Sequence, residues 1–65
     1  MNVDRRKIEI FLAENGLSKS EFAKRCNISR QNVSTILKRG SCEPITAGKL
    51  ARGLGVPVSE IVTEQ

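Results

Sequence analysis

Residues 18–40 read SKSEFAKRCNISRQNVSTILKRG. Ser18 followed three residues later by Glu21 is a capping box, and Phe22, Ala23 and Cys26 then recur at helical spacing as the inward stripe of a helix about two turns long. Leu17, just ahead of the cap, is placed to staple the start of that helix. Asn27 tolerates the left-handed backbone that stops a helix, Ile28 is apolar and turns to the core, and Ser29 caps a second helix. This second helix carries Val33, Ile36 and Leu37 on one side and ends at Gly40. Two short amphipathic helices are thus joined by a break of only three residues, Asn27 to Ser29.

That spacing is a helix-turn-helix, whose second helix offers its N-terminal end to the major groove of a duplex. At 100° per residue from Ser29, the core positions Val33, Ile36 and Leu37 gather on one side, and Gln31, Ser34, Thr35 and Lys38 project from the other. Arg30 and Asn32 lie on the flanks. Glutamine can pair bidentately with adenine, arginine with guanine, and a threonine methyl can meet thymine. Ser29, Arg30, Gln31, Ser34 and Thr35 are therefore the expected base-reading residues. Ser18, Lys19, Asn32, Lys38, Arg39 and Ser41 are expected to contact phosphates, with the backbone N–H groups of Ser18 and Lys19 at a helix start suited to a phosphate oxygen.

Working outward, Asp4 can cap a first helix whose apolar residues Ile8, Phe11 and Leu12 recur at three and four, ending before Asn15-Gly16. Residues 40–44 read as a loop. Thr46 is a candidate cap for a fourth helix with Leu50, Ala51 and Leu54, which Gly55 ends, and Pro57 opens a fifth, short one with Val58, Ile61 and Val62. The expected fold is all-α, a compact five-helix bundle without strands. These 65 residues are expected to form a single domain, 1–65, with the motif proper at 18–39 and without a ligand-sensing domain among them.

With no histidine, and with Cys26 and Cys42 sixteen positions apart, neither a zinc site nor a disulfide scaffold has its ligands or spacing. Both thiols are expected reduced, in a cytoplasmic protein without metal, cofactor or small-molecule effector. No apolar run approaches the ~18 residues of a membrane span. An enzyme is disfavoured, because the commonest acid–base residue is missing and Cys26 falls on an inward stripe.

Charge has a polarity along the chain. Lys19 to Arg39 holds six basic residues against the single acid Glu21, whereas Val56 to Gln65 holds Glu60 and Glu64 and no base. One end suits a polyanion and the other a protein or solvent. A lone domain making ~5 phosphate contacts binds weakly at physiological salt, so a homodimer on a two-fold site is expected, with Val56, Val58, Ile61 and Val62 as its interface.

The chain resembles the lambda-repressor-like, Cro-type helix-turn-helix family over nearly its whole length. Phe22-Ala23, the turn Asn27-Ile28-Ser29, Val33, Gly40 and the closing LARGLGVPVSEI stand where that family places core and turn residues. Three positions depart: Lys19 replaces a phosphate-contacting glutamine, Asn27 a turn glycine, and Leu12 with Leu37 an Arg–Glu bridge between helices one and three. Lysine keeps a donor, asparagine tolerates the turn, and two leucines can meet without desolvating an ion. A Leu12–Leu37 contact is expected. The resemblance implies a transcriptional regulator acting on double-stranded DNA, a repressor by likeness to small phage and mobile-element regulators. The other reading is a helical interaction module, antitoxin- or corepressor-like, whose main partner is a protein.

Overall fold

A computed structural model of the chain describes residues 1–63. Glu64, part of the acidic end read from the sequence, lies outside them. Four α-helices succeed one another: α1 (Arg5–Asn15), α2 (Lys19–Cys26), α3 (Arg30–Arg39) and α4 (Pro44–Leu54), then a 3-10 helix at Val58–Glu60. The expected fifth helix is therefore a single 3-10 turn. Gly55, at φ 73°, turns the chain out of α4, and beyond Glu60 the backbone is recruited to another partner before a helix can propagate.

That partner is the N-terminal segment, whose pairing has no local signature in the sequence. Asp4 N–H donates to Ile61 O at 2.7 Å and Thr63 N–H to Asn2 O at 3.0 Å, while on the other side Val3 N–H donates to Gly40 O at 3.0 Å and Cys42 N–H to Met1 O at 2.9 Å. Isolated antiparallel bridges, Asn2 to Ser41 and Val3 to Val62, complete a strap that ties the α3–α4 loop to the closing segment. Val3 is buried beneath it. No run of strand forms among the described residues.

The helix starts and stops follow local chemistry. Asp4 caps α1 by accepting from Lys7 N–H at 3.1 Å, and α1 runs through Asn15, one residue further than expected, to Gly16 at φ 62°. At α2, Glu21 N–H donates to Ser18 Oγ at 3.2 Å and Ser18 N–H to Glu21 Oε1 at 3.1 Å. Asn27, at φ 60°, is the only non-glycine residue with positive φ among those described, and it closes α2 in the conformation expected of it. Ser29 caps α3, accepting from Asn32 N–H at 3.0 Å. The cap of α4 is Glu43 rather than Thr46: Pro44 takes the first helical position, where its fixed φ fits and its missing N–H costs nothing, so the helix starts two residues before Thr46.

Phe22, Ile8, Leu50, Ile61 and Val33 are the largest fully buried side chains, and α2 packs chiefly against α4 and α3. Leu12 and Leu37 are both buried in the same hydrophobic cluster. Ile28 and Leu17 are half-buried against it.

The capping box yields a testable consequence. Its hydrogen bonds, that from the Ser18 backbone first, hold the Glu21 carboxyl below its ordinary 4.5. A carboxyl depressed in the folded state adds stability above its unfolded pKa and loses it as pH falls through the folded value. Ser18→Ala is expected to cost ~1 kcal/mol at pH 7, a melting shift of ~4–8 °C. Glu21→Gln should flatten the pH dependence of melting below 4.5. Melting curves between pH 3 and 7 check both, and an unchanged acid limb in Glu21→Gln would remove this account of it.

Candidate nucleic-acid interface

Helix α3 shows two faces. Val33, Ile36 and Leu37 are buried, while Arg30, Gln31, Asn32, Thr35, Lys38 and Arg39 are exposed, as is the cap Ser29. Thr35 is two residues from both Val33 and Leu37, hence 200° from each, which puts it squarely outward. Ser34 is only half-buried rather than open, because three residues bring it back to within 60° of Leu37. Of the five expected base readers, Ser29, Arg30, Gln31 and Thr35 are therefore fully presented and Ser34 sits at the edge. Ser29 Oγ is already an acceptor for Asn32 N–H, so toward a ligand its hydroxyl acts as donor.

The anchoring set is spread over three elements. Lys38 and Arg39 close α3, where cations also favour the negative end of the helix dipole, so their placement has a structural reason besides any ligand. Ser41 is half-buried in the loop and bridged to Asn2. Ser18 and Lys19 are exposed at the start of α2. One expectation is corrected here: the Ser18 backbone N–H is not free for a phosphate, because the Glu21 carboxylate takes it at 3.1 Å. The Lys19 N–H and ammonium, with the Ser18 hydroxyl as a donor, are what that helix start can offer a phosphate.

Beside the outward face of α3 lies a cleft of about 300 Å³. Asn32, Thr35, Ile36 and Arg39 line it from α3, Ser41, Cys42 and Glu43 from the loop, and Thr46 from α4. Sequence reasoning missed Glu43 and Thr46. The signal was Pro44, which marks the residue before it as the end of a loop aimed at a helix.

The acidic end behaves differently from its expectation. Ile61 is fully buried, its N–H bonded to Val58 O and its carbonyl to Asp4 N–H, so it cannot offer surface to a second copy. Val56 and Val62 are half-buried against the core, and of the four residues expected at an interface, Val58, 40% exposed, is the one that faces outward. Ile45, at the start of α4, and Ile10 on α1 are further exposed apolar residues that the sequence did not single out.

Burial pushes the Cys26 thiol up to about 11 and raises that of Cys42 as well, so both remain neutral at physiological pH. Both are free thiols. No cluster of three His, Cys, Asp or Glu side chains able to hold a metal occurs among the described residues. No helix among them is long and apolar enough to cross a membrane.

A protein-family model described as helix-turn-helix matches residues 8–61, from the first buried residue of α1 to Ile61. No curated protein and no solved structure matches the chain.

Proposed function

Because the chain belongs to the helix-turn-helix family, in its lambda-repressor-like, Cro-type form, a family of DNA-binding transcription regulators, we propose that it is a sequence-specific repressor. It acts as a homodimer on a palindromic operator, with α3 in the major groove. The observation that carries this reading is the simultaneous exposure of Gln31 and Thr35 on the side of α3 away from Val33 and Leu37, with Arg30 exposed at the first position of the helix. Polar side chains on a short, firmly seated helix can reach base edges without disturbing the core. Lys19, Lys38, Arg39 and the Ser18 and Ser41 hydroxyls flank that face and serve as phosphate anchors, with Asn32 beside them.

Output is set by occupancy. Its concentration and its competition with polymerase for a promoter determine the response. Dimerisation supplies the affinity that ~5 phosphate contacts lack, and the surface around Val58 is the one that would carry it.

Selection of bound duplexes from a random pool tests this. The expected result is a palindromic consensus whose half-sites are about 10 base pairs apart, two chains per duplex by sedimentation, and a logarithmic salt slope of about −4 to −5 per domain. Salt-insensitive binding without an enriched sequence would overturn it, and one chain per palindrome would remove the dimer.

A further inference from the structure

Glu43 is the one acid lining the cleft beside α3 among the described residues. It holds the N-cap position of α4 at φ −71° and ψ 152°, is exposed, and makes no side-chain capping hydrogen bond. A serine or aspartate there would turn its oxygen back onto the first helical N–H groups. The Glu43 carboxylate does not, and so it is available to whatever enters the cleft.

Two features make this corner a poor anchor for phosphate. Pro44, at the first helical position, removes one N–H that could hold an anion, and a carboxylate repels phosphates over the ~8 Å Debye length of physiological salt. The same carboxylate discriminates among bases, because it only accepts hydrogen bonds. In the major groove the donors are the amino groups of cytosine N4 and adenine N6, while guanine O6 and N7 and thymine O4 are acceptors that repel it. Thr35, which lines this cleft, belongs to the very face of α3 that the proposed function directs at the bases, and Asn32 lines it from the flank.

We propose that Glu43 is a specificity-determining residue, which at one position disfavours guanine and thymine by repulsion and admits a cytosine or adenine that presents its amino group to the cleft. This rests on the DNA reading above. It extends the readout from α3 to the start of α4 and assigns the acid a selective rather than an anchoring part.

The test compares wild type, Glu43→Gln and Glu43→Ser by selection from a random-core duplex pool, then by titration of the wild-type consensus and a shuffled duplex. Both variants should bind the shuffled duplex more tightly, and the ratio of consensus to shuffled affinity should fall severalfold, up to about tenfold. One C- or A-specifying position should also vanish from the consensus. Serine is a good helix cap, so Glu43→Ser should melt no lower than wild type, which separates specificity from folding. An unchanged consensus and ratio in both variants would overturn the proposal while leaving the DNA reading intact. A wild type without any sequence preference would overturn both.

Discussion

Gly53→Ala is expected to lower the melting temperature by about 10 °C, although alanine is the better helix former. A Cβ built on Gly53 would stand 2.5 Å from Cys26 Sγ and 3.4 Å from both Cys26 N and a Phe22 ring carbon. Cys26 and Phe22 are themselves buried, and a cysteine side chain has one torsion with which to move aside. Overpacking of this kind costs ~1–3 kcal/mol, here toward the upper figure because the 2.5 Å approach is to a buried sulfur on a short side chain. The gain in helix propensity returns ~1 kcal/mol. The balance of ~2 kcal/mol is a large share of the stability of so small a domain, and each kcal/mol moves its melting point by ~4–8 °C. The mechanism is checked by adding Cys26→Ala. Taken alone that change costs ~1 kcal/mol through a lost buried contact, but with Gly53→Ala it removes the obstructing sulfur. The double variant should therefore be more stable than Gly53→Ala, and the cycle should show coupling of ~1–3 kcal/mol. Additive losses would mean that α2 and α4 do not meet through this glycine.

The same contact illustrates where the sequence was legible. Helix ends depend on residues within three or four positions of one another, and so the Ser18–Glu21 box, the left-handed Asn27 and the Ser29 cap were readable directly. The buried stripes of α2 and α3 were readable for the same reason, since a period of 3.6 is a local property. Contacts between distant segments left no such mark. Gly53 carries no local sign that α2 crosses it, and nothing in Met1 to Val3 marks the pairing of that segment on both edges. Ile61 shows the ambiguity most plainly: an apolar residue near the end of a short acidic segment fits a dimer surface and a core plug equally well, and only its complete burial decides. The candidate site divides along the same line. The outward face of α3 came from the helical wheel, whereas the cleft that brings Glu43 and Thr46 beside it arises from the packing of α4, which no periodicity encodes.

Gln31→Ala and Lys19→Ala are expected to weaken DNA binding in different ways, and the difference is the sharpest check on the part assigned to α3. Gln31 is exposed on α3, remote from the buried stripe, so its truncation should leave melting unchanged. What it removes is an amide able to pair bidentately with adenine N6 and N7, worth ~1–3 kcal/mol of discrimination, or ~5–150-fold in the ratio of consensus to shuffled affinity. Binding to the shuffled duplex should barely change, since no adenine is held in register there. Lys19 stands exposed at the first position of α2, where its ammonium and N–H can meet a phosphate of any sequence. Lys19→Ala should therefore lower consensus and shuffled affinity by the same factor and make the salt slope shallower by about 1, as one fewer counterion is released. The salt slope separates the two variants even if their losses at one ionic strength coincide, because a base contact releases no phosphate counterion and Gln31→Ala should keep the wild-type slope. If instead both variants lose consensus and shuffled duplex in equal proportion, α3 is touching DNA without reading it, and the sequence preference of the chain must reside in some other element.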